Sequence, residues 1–158
     1  MEMIRRGVRI MGMSLLATLV AVAWGCGGDD AGTTATSSRA EFVEAAEEIC
    51  KRGLQAKDEV LQAAFKEGEG HDYTAAQAKE KREELVEDML PHYQEIATGL
   101  AELPTPAGDN SKIEDIVSNM ELAIAKGKAD PISLVETNLF DKSDAAARAY
   151  GLESCGAL

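Results

Sequence analysis

Four successive stretches of this chain place apolar residues at spacings of three and four, and no comparable stretch alternates with period two. That pattern constrains the fold more than any other feature, because it puts one apolar face on each of several α-helices. The first stripe runs through Phe42, Ala46, Ile49, Cys50, Leu54, Val60, Leu61, Ala64 and Phe65. Ser38-Arg-Ala-Glu41 precedes it and fits a capping box, in which the hydroxyl and the carboxylate each satisfy an orphan backbone N–H. Glu47 with Lys51 and Glu48 with Arg52 are i,i+4 pairs in the favourable order. Gly68-Glu-Gly70 ends the stretch.

Thr74-Ala-Ala-Gln77 is a second capping box, and Leu85, Met89, Tyr93, Ile96, Leu100 and Leu103 follow on one face. Pro91 falls within that run and removes a ladder hydrogen bond, which predicts a kink or a split. Pro104-Thr-Pro106 stops the segment. A third stripe, Ile113, Ile116, Val117, Met120, Ala123 and Ile124, closes near Gly127. Asp130-Pro131 then has the form of an N-cap with proline at the first helical position. Ile132, Val135, Leu139, Ala146, Ala147 and Tyr150 continue from it, with Asp141-Lys-Ser-Asp144 as a candidate interruption. Gly151-Leu152 fits a Schellman stop. The expected fold is all-α, an up-down four-helix bundle over residues 39–158.

The 158 residues amount to a single domain, since residues 1–25 and 26–38 read as something else. Arg5, Arg6 and Arg9 form a basic leader, and an uncharged apolar run of 14 residues, Ile10 to Ala23, follows. A helix crossing a bilayer needs about 20 such residues, so the run fits a secretory signal better than a permanent anchor. Beyond Cys26, Gly27-Gly-Asp-Asp-Ala-Gly-Thr-Thr-Ala-Thr-Ser-Ser38 holds no large apolar side chain. It reads as a tether with a reach of about 20 Å.

Ala23 and Gly25 just before Cys26 resemble the lipobox of bacterial lipoprotein precursors. The resemblance implies cleavage before Cys26 and acylation of its sulfur, hence a lipid-anchored protein facing the extracytoplasmic side of a cell membrane. Trp24 and the Ala at position 23 depart from the usual pattern; the alternatives are ordinary secretion with Cys26 as a plain thiol, and an uncleaved anchor. Cleavage removes three Arg, one Glu and the only Trp, and leaves 13 basic and 27 acidic side chains. Such a balance excludes nucleic acid as a partner, because phosphate binding needs clustered Lys and Arg. Charge-driven docking on anionic lipid is disfavoured too.

With Cys26 assigned to lipid, Cys50 and Cys155 are an even pair in an exported protein. A disulfide between them closes a loop of 105 residues. The alternative is two separate thiols, with Cys50 merely buried. The layout also resembles a loose group of small, uncharacterised exported helical lipoproteins. The shared features are a first helix like Phe42-Val-x-x-Ala-x-x-Ile49-Cys50 and an ending like Tyr150-Gly-Leu-x-x-Cys155-Gly156. That resemblance implies the disulfide and the helical fold, and no activity.

Two places are candidates for chemistry. Glu80, Glu83, Glu84 and Glu87 form an acidic ridge opposite the apolar face of the second helix, either a solvated surface or a contact for a basic partner. Asp88, His92 and Glu95, at i, i+4 and i+7, are a conceivable ligand set for a divalent metal. No Gly-x-Ser-x-Gly turn, phosphate loop or Cys-x-x-Cys is present, so no enzyme is expected and no cofactor beyond the covalent lipid. The expected role is binding, with an envelope protein as partner. The alternative is a carrier of a small ligand or a divalent metal, using the acidic face and His92.

Overall fold

A computed structural model describes residues 37–158. The leader, Cys26 and the tether up to residue 36 lie outside the described residues. The rest is helical, with no strand among the described residues. Its order is α1 (Arg39–Gly68), α2 (Ala75–Glu102), α3 (Asn110–Ala129), α4 (Pro131–Glu136), α5 (Asp141–Tyr150) and a closing 3-10 turn at Cys155–Ala157. No helix of the described residues is long and apolar enough to cross a membrane.

Helix starts follow local chemistry. The Ser38 hydroxyl accepts from the Glu41 N–H, and Glu41 accepts in return from the Ser38 N–H at 2.8 Å. The Ser38 N–H, and then its hydroxyl, hold the Glu41 carboxyl below its usual range. Thr74 and Gln77 repeat the arrangement at α2. Pro131 occupies the first turn of α4, but the Asp130 side chain makes no capping bond. At the end of α5, Gly151 takes φ +98°, which a side chain would resist. The Leu152 N–H then reaches the Ala147 carbonyl at 2.9 Å and the Gly151 N–H reaches that of Arg148 at 3.0 Å, the two bonds of a Schellman motif.

The structure excludes one of the two outcomes expected at Pro91 and changes the last helix. Helix α2 is not split, and continues through Pro91 to Glu102. Pro91 is exposed, so the carbonyl its ring frees faces solvent. The fourth expected helix is two. It breaks at Thr137–Phe140, where the Asn138 side chain accepts the Phe140 N–H at 3.1 Å. Asp141 and Asp144 are then not an interruption but the first turn of α5, where the helix dipole favours acids.

One apolar core joins the helices: Phe42, Ala46 and Cys50 from α1, Met89, Ile96 and Leu100 from α2, Ile116, Met120 and Ile124 from α3, and Ala147 and Tyr150 from α5. Phe140 stacks on Tyr93 with ring centroids 4.5 Å apart, and Phe42 meets Tyr150 edge-on at 5.8 Å. Cys50 and Cys155 are disulfide-bonded and fully buried, tying the C-terminal turn to α1.

Burial stops partway along the first two helices. No residue of α1 after Gly53, and none of α2 before Val86, is fully buried. The distal half of α1, about 22 Å long at the helical rise, therefore pairs with the start of α2 as a two-helix arm. Phe65, expected on the buried stripe, is 77% exposed. Val60, Leu61 and Leu85 are half-buried.

Candidate functional site

The arm carries an apolar cleft and, in Phe65, the most exposed large apolar side chain of the described residues. Small side chains, Ala63 and Ala64 on α1, leave a cleft of about 210 Å³ between the two helices. Val60, Leu85 and Tyr73 supply apolar walls, and Glu67, Glu84, Asp88 and Lys81 form the rim. Lys81 bridges Glu67 at 3.0 Å and Glu84 at 2.8 Å, clamping α2 to α1 across the arm. Both contacts raise the Lys81 pKa above its ordinary value, the one to Glu84 most. Phe65 of α1, which does not line the cleft, is in solvent, and Tyr73 at the tip is 38% exposed.

The acidic ridge lies on this arm. Glu80, Glu84 and Glu87 are exposed and Glu83 is half-exposed. Lysines interleave it, however: Lys79 meets Glu83 at 2.8 Å and Lys81 holds Glu84. Glu80 and Glu87 have no ion-pair partner among the described residues. The ridge is thus half neutralised along its own helix.

Asp88, His92 and Glu95 do not converge. His92 Nδ1 lies 3.8 Å from the Glu95 carboxylate and has no hydrogen-bond partner, while Asp88 and Glu95 point into solvent-exposed positions. Among the described residues no group of three or more His, Cys, Asp or Glu side chains could hold a metal ion. Asp88 instead lines the rim of the arm cleft.

At the opposite end of α1, polar bonds fasten the helix termini. Arg39 lies over the Tyr150 ring at 4.5 Å and donates to the Tyr150 carbonyl at 2.7 Å. The Tyr150 hydroxyl donates to Asp109 at 2.9 Å, and Lys112 donates to the other Asp109 oxygen. Burial, and then the bond to Asp109, push the Tyr150 phenol up to about 12. The Lys112 and Tyr150 bonds hold Asp109 below the usual carboxylate range. Beside the disulfide, Glu47 accepts both the backbone N–H of Ser154, at 2.9 Å, and its hydroxyl. These contacts are structural.

One acid stands apart. Asp144, in the first turn of α5, is only 4% exposed, and its Oδ1 has no hydrogen-bond partner. Burial raises its pKa, against the opposing pull of Arg148. The same buried neighbourhood pushes the Tyr93 phenol up to about 12, through desolvation first and the Asp144 charge second.

The sequence patterns did not single out the arm cleft. A signal for it exists nonetheless: the first stripe, Phe42 to Phe65, is longer than each of the other three, so a partner stripe cannot cover it end to end. Comparison with protein-family models, with curated proteins and with solved structures finds no match to this chain.

Proposed function

We propose that this chain is a lipid-anchored, extracytoplasmic helical module that works by binding another envelope protein, without catalysis. The observation that carries the reading is the arm, an apolar cleft and an exposed Phe65 on two helices that nothing among the described residues covers. The cleft walls and Phe65 together leave apolar surface on the arm of a kind that a partner can cover.

The placement of the arm supports the same reading. Ser37 donates to the Pro104 carbonyl, Arg39 holds Tyr150, and Tyr150 holds Asp109, so the start of α1, the end of α2, the start of α3 and the end of α5 meet at one end. On this reading α1, α2, α3 and α5 alternate in direction as an up-down bundle whose first two helices overrun the others. The tether enters at Ser38, and α1 carries its far end about 45 Å away.

Two measurements test this. A Cys26→Ala variant is expected in the soluble fraction; retention in the membrane overturns the lipid anchor. A photoreactive residue replacing Phe65 is expected to give one discrete adduct with another protein in host membranes, while the same residue replacing exposed Glu121 on α3 gives none. Absence of any adduct at 65, or equal adducts at both positions, ends the binding reading.

A further inference from the structure

We propose that the arm cleft takes an apolar side chain from a basic amphipathic helix of the partner protein, which lies along α1 and α2 as a third helix. The inference rests on the binding reading above and names the chemistry of what binds.

Size argues first. At about 210 Å³ the cleft is smaller than the roughly 300–1,000 Å³ of pockets that enclose small organic ligands. It suits one inserted side chain better than a whole molecule. The shape comes from Ala63 and Ala64, whose short side chains leave a gap between helices that elsewhere touch.

Charge argues next. Three carboxylates, Glu67, Glu84 and Asp88, surround the cleft against the single ammonium of Lys81, which Glu67 and Glu84 already share. Asp88 has no ion-pair partner among the described residues, and neither do Glu80 and Glu87 on the same helix. An apolar floor inside an acidic rim complements a helix with apolar anchors one turn apart and Lys or Arg beside them. A second copy of this chain would bring the same acidic rim against it, and anionic lipid would be repelled likewise.

Architecture argues last. Two paired helices bury only one stripe each, and this pair leaves Phe65 at 77% exposure and Val60, Leu61 and Leu85 half-covered. A third helix laid over the cleft covers Val60 and Leu85, which line it.

The test uses the full chain at a fixed detergent concentration and a fluorescent peptide of Leu and Lys ordered as an amphipathic helix. A peptide of identical composition in scrambled order is the control. The ordered peptide should bind about tenfold more tightly than the scrambled one, because only it presents an apolar anchor. Ala63→Trp, at an exposed position on the cleft wall, should weaken the ordered peptide about tenfold by filling the cleft. Asp88→Lys should weaken it roughly threefold. Unchanged helical circular dichroism shows that the variants fold. Equal binding of both peptides, or unchanged binding by Ala63→Trp, overturns the proposal. So does an adduct at position 65 between two copies of this chain. If a heterologous adduct at 65 persists while the ordered peptide fails, the occupant is wrong and the binding module stands; if both fail, neither stands.

Discussion

Gly53 of α1 receives the side chain of Ile96 of α2. A Cβ built at position 53 would overlap the Ile96 Cγ1 and Cδ1 atoms, and Ile96 is 1% exposed with no room to retreat. The glycine removes an obstacle to close packing of the two helices, one turn beyond the disulfide at Cys50. Gly53→Ala gains about 1 kcal/mol of helix propensity but incurs overpacking of about 1–3 kcal/mol. A net loss of about 1 kcal/mol is expected from chemical denaturation. Gly99→Ala, whose Cβ would meet half-buried Ile49 at 3.1 Å, should cost less.

Reduction of the Cys50–Cys155 bond should lower stability markedly. The bond closes a loop of 105 residues, for which chain entropy gives at most about 4.7 kcal/mol. Glu47 continues to hold Ser154 after reduction, so the C-terminal turn stays docked under native conditions. Denaturation midpoints with and without reductant measure the loss; equal midpoints would remove the disulfide from the energetics.

Asp144 should make the protein less stable at neutral pH than an otherwise identical chain with an uncharged group there. Its folded-state pKa is raised by burial, so it contributes fully below the ordinary carboxylate pKa. That contribution is lost as pH rises through the folded value. Asp144→Asn is therefore expected to raise stability at neutral pH, with the difference fading in acid. A pH series of denaturation midpoints for both proteins decides it.

Asp109 behaves in the opposite sense. Its pKa is lowered by Lys112 and Tyr150, so its contribution is present above the ordinary carboxylate pKa and is lost as pH falls through the folded value. In Tyr150→Phe one of those bonds is gone, and the Asp109 titration followed by NMR should move up toward its ordinary position.

Phe65→Ser should leave stability within about 0.5 kcal/mol, because the ring is 77% exposed. A fall well beyond that in thermal denaturation would mean that Phe65 belongs to the core and not to a binding surface.

The sequence alone was enough to place the starts of α1 and α2 and the end of α5. Ser38 with Glu41, Thr74 with Gln77, and Gly151 with Leu152 act over a few residues, and the backbone groups they satisfy lie within the same turn. The apolar stripe of α3 was legible for the same reason, since α3 is packed along its whole length and periodicity equals burial there. Tertiary structure decided the rest. Periodicity says which face of a helix is apolar, not whether anything covers it. Helix α1 has 30 residues and α2 has 28, against 20 in α3 and 10 in α5, so the distal stripe of α1 runs past its partners and becomes a surface. The break before α5 depends on Phe140 stacking on Tyr93, nearly fifty residues away. The burial of Asp144, an ordinary first-turn acid in sequence, depends on the C-terminal segment, whose Leu158 N–H faces its carboxylate. Local hydrogen bonds set where helices begin and end; relative helix lengths and long-range packing set which of their residues meet water.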